Sequence, residues 1–297
     1  MPKNILVLGG NGYLGSKVVK ALLVGDYSNF VGYKVSCTKR QNSNIQSLKD
    51  YSAITWILSD IESVRKILQK EQFAAILNMA CDYGRNDVSY SGIIESNIVF
   101  PLKVMDLAVQ FGVKKFVTIG TGLPDRLNMY SYSKKVLSEL GLFYAEKHDF
   151  NFLNLKLEML YGADEPADRF IPSVIRKMLK GETVNITLGT QHRDIIAVED
   201  VVKAIIKLLQ IQISGYNDIQ IGTGIAPTIS ELVGYIWEKT GKKSVINKGV
   251  VTIRELEPDC VADTSEISRL CDWSPVHWKV GIADMIENIK GKEGTCK

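Results

Sequence analysis

Three Tyr-x-x-x-Lys pairs, Tyr13/Lys17, Tyr130/Lys134 and Tyr235/Lys239, are the spacings in this chain suited to acid–base chemistry. On a helix, residues four apart share a face. An ammonium group there favours tyrosinate and lowers a phenol pKa that starts at about 10, so the ring oxygen can exchange a proton with a carbonyl or alcohol. Spacing does not choose among the pairs; position does. Tyr13 lies in a glycine-rich loop with Lys17 in the helix behind it, and Tyr235 reads as a packing residue of a later lobe. Tyr130 follows the apolar run KKFVTIGTGLP, whose Thr121 can donate a hydrogen bond to a substrate oxygen. The competing reading of Thr121, Tyr130 and Lys134 is a turn threonine, a core tyrosine and a surface lysine.

The glycine loop, LVLGGNGYLG, has two registers. Gly10, Gly12 and Gly15 spell G-x-G-x-x-G, whereas Gly9, Gly12 and Gly15 spell G-x-x-G-x-x-G. An apolar run precedes it and an amphipathic helix follows. In that context glycines let backbone N–H groups approach a pyrophosphate at a helix N-terminus. The second strand end bears on which dinucleotide is held. An Asp or Glu roughly 20 residues after the glycines grips the ribose 2′-hydroxyl of NAD. Here YKVSCTKRQNSN carries no acid between Asp26 and Asp50 and offers Thr38, Lys39 and Arg40 instead. A hydroxyl and two cations suit a 2′-phosphate, which points to NADP(H); the alternative is that Lys39 and Arg40 are solvated loop charges.

These residues need a frame. Probable strands at 4–8, 34–37, 54–58, 75–79, 116–119 and 152–157 alternate with helical patterns at 14–24, 62–69, 98–111 and 133–147. Continuous apolar strands between helices imply an α/β fold, a Rossmann-like doubly wound parallel sheet that binds ligands at the carboxyl ends of its strands. After Tyr161 the rhythm breaks. The reading is a dinucleotide-binding domain over 1–163, with returns to the sheet near 191–222, in particular 194–209 and 218–221. A smaller mixed α/β C-terminal substrate lobe takes 164–190 and 223–289, and 290–297 forms a solvated tail. Within the lobe, Thr228-x-x-Glu231 is a capping box for a helix at 232–239.

Composition excludes several classes. The 297 residues are 45% hydrophobic and 23% charged, with a net charge of +3, too small to argue for nucleic acid or an acidic membrane surface. No apolar run approaches the roughly 18 residues of a membrane span. Five scattered cysteines without C-x-x-C suggest neither a metal site nor a disulfide framework. The expectation is a cytoplasmic enzyme.

Taken together, the motifs resemble the extended short-chain dehydrogenase/reductases, the nucleotide-sugar epimerase/dehydratase family. They are Gly9-x-x-Gly12-x-x-Gly15, Asn97 in SNIVFPLKVMDLA, Thr121, Tyr130-x-x-x-Lys134, Tyr161-Gly162, Arg193-Asp194 in TQHRDIIAVEDV, IGTG at 221–224 and ADTSEISRLCDWSP. The resemblance selects the Gly9 register and leaves Gly10 as a permissive neighbour. Within the family the chain looks most like bacterial reductases of nucleotide-linked 4-keto-6-deoxyhexoses, which act in deoxysugar biosynthesis for O-antigen. In such enzymes Tyr130 would protonate the C4 oxygen as NADPH delivers hydride, and Lys134 would hold the nicotinamide ribose and depress the tyrosine pKa. Thr121 would polarise the carbonyl, Asn97 would order a relay water, and Arg193 would grip the substrate diphosphate; its competing reading is a helix-edge salt bridge.

The resemblance further assigns Asn11, Tyr13, Leu14, Asp60, Ile61, Met79, Ala80 and Leu157 to the cofactor. It assigns Tyr83, Arg85, Glu158 and Phe170 to the nucleotide-sugar substrate, with the loops 83–87 and 164–170 setting which face the sugar presents. It also implies a homodimer built on the helices at 98–111 and 133–147 through Leu137, Leu140 and Phe143, the competing reading being that these apolar positions pack inward. Two departures matter. Gly122 and Leu123 stand where family dehydratases carry an Asp–Glu pair, so elimination is not expected, and Ala163 replaces the usual proline. The alternatives are an NAD-dependent C4 epimerase and a non-catalytic NADP-binding regulator.

Overall fold

The computed structural model describes residues 4–24, 33–85, 88–252 and 259–294. It opens with β1 (Asn4–Leu8), α1 (Tyr13–Val24), β2 (Lys34–Lys39), β3 (Thr55–Leu58), α2 (Ile61–Lys70) and β4 (Ala75–Asn78). Then come α3 (Tyr90–Ile94), α4 (Phe100–Gln110), β5 (Lys115–Thr121), α5 (Met129–Lys147) and β6 (Asn151–Leu157). β7 (Met159–Tyr161), α6 (Phe170–Leu179), β8 (Val184–Ile186), β9 (Ile195–Ala197), α7 (Val198–Gln210) and β10 (Tyr216–Ile221) follow. The chain ends with α8 (Ile229–Lys239), β11 (Ile246–Lys248), α9 (Ser265–Leu270) and α10 (Trp278–Gly294).

Contacts divide the chain into two compact units. The first takes Met1–Lys156, Val202–Ile219 and Arg269–Cys271 and contains most of a seven-stranded sheet of order β3-β2-β1-β4-β5-β6-β10. The pairs β1–β2, β1–β4, β2–β3 and β4–β5 are all parallel. Strand order reverses between β1 and β4, the switch point at which doubly wound sheets bind ligands. Because these strands are parallel, the segments after β1, β4 and β5 emerge on one edge. Ile5 to Leu8 are buried because helices cover both faces of the sheet. Each such aliphatic side chain contributes about 1.5–3 kcal/mol of burial free energy.

Two helices begin earlier than periodicity suggests. α5 starts at Met129 because the Asn128 side chain accepts from the Ser131 N–H (2.9 Å) while the Ser131 hydroxyl accepts from the Asn128 N–H (3.2 Å), a reciprocal cap. Tyr130 therefore stands in the first turn. The stretch expected as one helix over 98–111 is instead α3, a π-turn at Glu95–Val99 and α4. Pro101 has no N–H to give the carbonyl of Asn97 four residues back, and the Phe100 N–H reaches Glu95 in the wider winding.

The second unit comprises Leu157–Val201, Gln220–Ser268 and Asp272–Lys297. Its core gathers Tyr161, Ile175, Ile186, Ile195, Leu232, Ile236, Trp278, Ile282 and Ile286. The Thr228/Glu231 capping box opens α8 as expected. The segment 194–209 departs from expectation: β9 pairs with β7 in a separate two-stranded sheet and runs directly into α7. Only β10 joins the large sheet. α10 continues to Gly294, across the start of the segment expected as a tail; residues 295–297 lie outside the described residues.

Candidate active site

The glycine loop leaves β1 at Gly9, whose φ of +74° is the left-handed region that favours glycine. A Cβ there would stand 2.8 Å from the Ala80 Cα. Gly12 donates its N–H to the Gly9 carbonyl (3.1 Å), and any side chain at Gly15 would strike that same oxygen. The register Gly9, Gly12, Gly15 closes the turn and presents the N-terminus of α1, a cradle that fits a pyrophosphate. Gly10 is not permissive: a Cβ there would meet the buried Cys37 sulfur at 2.7 Å. Tyr13 and Leu14 occupy the first positions of α1, both half-buried.

The end of β2 divides by role. Thr38 is fully buried, and its hydroxyl accepts from the Gly9 N–H at 3.0 Å. It supports the first glycine of the loop from below. Strand alternation turns Lys39, half-buried, to the other face, and Arg40 beside it is exposed. Asn11 donates to the Asn44 carbonyl (3.4 Å), tying the loop to the segment after β2. Asp60 caps α2 through the Ser63 N–H (2.8 Å) and hydroxyl (2.9 Å), and the backbone bond is the main reason its carboxyl sits below the usual range. Ile61 packs partly on the core, and Met79 donates its N–H to the Leu8 carbonyl (3.0 Å).

All three tyrosine–lysine pairs share one local geometry, with ammonium-to-ring distances of 5.7, 5.8 and 5.5 Å. What separates Tyr130/Lys134 is its surroundings. Lys134 is only 4% exposed, and burial lowers its pKa. Thr121 ends β5, its hydroxyl oxygen accepting from the Leu123 N–H (3.2 Å) and so keeping its own hydrogen to donate. Tyr83 lies against Tyr130 with ring centroids 4.9 Å apart, and Arg85 stands 5.6 Å over Tyr83. Tyr235, by contrast, packs edge-on to Trp278 and donates to the Lys279 carbonyl.

Asn97 is buried, and both its amide oxygen and its nitrogen are hydrogen-bonded. The amide oxygen accepts from the Asp82 N–H (2.7 Å); the nitrogen donates to the Asp82 carbonyl (2.8 Å) and to the Ser133 hydroxyl (3.0 Å). Ser133 passes its own hydrogen to the Tyr130 carbonyl (2.7 Å). Asn97 thus ties the Asp82 backbone to Ser133 in α5. Asp82 and Ser133 were not singled out from the sequence. Nothing in their spacing signals this link, because a π-turn makes it.

The second unit holds Leu157, buried, with Glu158, Phe170 and Arg193. Phe170 opens α6 and is partly exposed. Arg193 is buried just before β9 and donates from Nη1 to the His192 carbonyl (2.7 Å). Asp194, fully buried, accepts from the Thr223 N–H (2.9 Å) and hydroxyl (2.6 Å), the Gly224 N–H (2.8 Å) and the Ala262 N–H (3.2 Å). It draws together the RD, GTG and VAD segments. Burial, helped by the Asp194 charge and opposed by Arg193, pushes the Glu158 carboxyl up to about 7.

Among the described residues, no group of three or more His, Cys, Asp or Glu side chains is arranged to hold a metal ion, and no helix is long and apolar enough to cross a membrane. Cys37 and Cys81 are free thiols, and burial drives Cys37 to about 12.

A doubly wound sheet with a glycine cradle at its switch point and a buried-lysine Tyr–Lys pair on the same edge defines a dinucleotide-dependent enzyme of the short-chain dehydrogenase/reductase type. The profile of the NAD dependent epimerase/dehydratase family matches residues 5–222, and the chain belongs to that family. It is 31% identical to the CDP-abequose synthase of Salmonella muenchen over 92% of each chain. It is 25% identical to the UDP-glucose 4-epimerase of Rhizobium meliloti over 96% of each. The structure of UDP-glucuronic acid 4-epimerase from Bacillus cereus, in complex with UDP-glucuronic acid and NAD, has the same fold: TM-score 0.83, 23% identity, 97% of this chain and 99% of that one.

Proposed function

We propose that the protein is an NADPH-dependent reductase of the C4 ketone of a CDP- or dTDP-linked 4-keto-6-deoxyhexose, acting in the cytoplasm in deoxysugar synthesis for surface polysaccharide. The observation that carries the choice is the end of β2. Lys39 and Arg40 stand where an NAD-binding chain places a carboxylate, and cations there suit a 2′-phosphate that an acid would repel. The likeness to CDP-abequose synthases supports a deoxysugar nucleotide.

When bound, NADPH supplies a hydride to C4. Tyr130 gives its phenolic proton to the C4 oxygen, Lys134 favours the tyrosinate that remains, and Thr121 donates to the same carbonyl oxygen. Gly122 and Leu123 provide neither acid nor base for elimination. Arg193 serves the substrate diphosphate. The protein is a homodimer through α4 and α5, in which exposed Phe143 takes part, whereas Leu137 and Leu140 face the first unit's core.

The likeness to 4-epimerases favours a second reading, C4 epimerisation with a retained NAD. Incubation with NADPH and CDP- or dTDP-4-keto-6-deoxyhexoses separates the two. The reductase consumes one NADPH per sugar reduced. Interconversion of 4-hydroxy sugar nucleotides without net cofactor oxidation selects the epimerase.

A further inference from the structure

The segment after β4 is built to hold one ring in place. Asn97 grips both the N–H and the carbonyl of Asp82. The Asp82 carboxylate then accepts from the Gly84 N–H at 2.8 Å, closing a turn around Tyr83. Gly84 has φ +68°, the left-handed region that favours glycine, and a Cβ there would crowd the end of the Ile93 side chain at 2.8 Å. Tyr83 is thereby fixed between two anchored residues, yet its side chain is 46% exposed and contributes little to the core.

What Tyr83 touches is the ring of Tyr130, at 4.9 Å and an interplanar angle of 31°. The Asn97 amide that clamps Asp82 also reaches the Tyr130 backbone carbonyl through Ser133, tying the residue's main chain to the same asparagine. Arg85, 5.6 Å over Tyr83, backs the outer ring. One buried asparagine thus sets the separation of two segments whose tyrosines lie ring to ring.

We infer that Tyr83 is a positioning residue for the reaction: its ring, clamped by Asn97 and the Asp82–Gly84 turn, fixes the Tyr130 ring in the attitude from which the phenol transfers its proton. This rests on the ketoreductase reading. Only the ring is needed, since its contact with Tyr130 is a tilted ring-to-ring contact.

The test is steady-state kinetics of Tyr83→Phe, Tyr83→Leu and Tyr83→Ala, with thermal melting and NADPH binding by fluorescence as independent readouts. Tyr83→Phe keeps kcat within about twofold. The other two lose roughly ten- to hundredfold in kcat, the scale of a misplacement of about 1 Å, with melting temperature, NADPH affinity and sugar-nucleotide KM little changed. A Tyr83→Ala or Tyr83→Leu enzyme that keeps its kcat overturns the inference. So does a raised KM at constant kcat, which makes Tyr83 a sugar-stacking surface instead. Wild-type protein that turns over no 4-keto sugar defeats the functional reading and this inference with it; wild-type turnover with indifferent Tyr83 variants defeats this inference alone.

Discussion

The Gly9 amide donates to the Thr38 hydroxyl at 3.0 Å, so the last inward-facing residue of β2 supports the first glycine of the loop after β1. Neighbours in the parallel sheet thereby share one hydrogen bond at the point where a dinucleotide must lie. Thr38→Val leaves that N–H without its partner, a loss of about 1–3 kcal/mol. The expected result is weaker binding of NADP and NAD by similar factors, with their ratio unchanged. Titration of both dinucleotides by fluorescence measures it, and a ratio shifted more than about twofold would place Thr38 against the 2′-phosphate after all.

On the proposed function, Lys39 and Arg40 carry the preference for NADP. Arg40→Ala with Lys39→Ala is expected to weaken NADPH roughly ten- to hundredfold, the equivalent of charge-assisted hydrogen bonds of about 1.5–3 kcal/mol, while NADH binding stays level. Equal losses for both cofactors would make these residues ordinary surface cations.

Lys134 places chemistry against stability. Burial lowers its pKa from 10.5, so below 10.5 the unfolded chain holds the proton more tightly than the folded chain and folding is disfavoured by the difference. The deficit is relieved as pH rises through the lowered folded value towards the unfolded one. Lys134→Met is therefore expected to abolish turnover and raise the melting temperature at pH 7, with the gain shrinking towards pH 10. Tyr130→Phe should also abolish turnover while sparing NADP binding.

Glu158 titrates in the opposite sense. Its folded pKa of about 7 lies above the ordinary 4.5, so the stability it contributes is present below 4.5 and is lost as pH rises through 7. Wild-type melting temperature should fall relative to Glu158→Gln across that interval. Parallel curves would show that the carboxylate is neutralised in place.

Leu137 and Phe143 test the helix α5 surface. Leu137→Ala removes a core side chain and should cost about 2–5 kcal/mol without altering association. Phe143→Asp should leave stability nearly unchanged and shift sedimentation from dimer to monomer.

The amino-acid sequence by itself determined the alternation of strands and helices and the acid-free end of β2, which rest on periodicity and residue chemistry. Order along the chain singled out Tyr130/Lys134 as the candidate pair, and the family resemblance chose the glycine register. The sequence could not separate the three tyrosine–lysine pairs by geometry, because i,i+4 stacking is local and identical in each. Burial of Lys134 and the approach of Tyr83, which set Tyr130 apart, are made by segments far apart in sequence. Tertiary structure alone turned Thr38 beneath the loop, filled the space beside Gly10 with Cys37, and moved β9 out of the central sheet. It alone gave Asn97 its partners, because a π-turn rotates one residue out of the 3.6-residue period on which sequence reading depends.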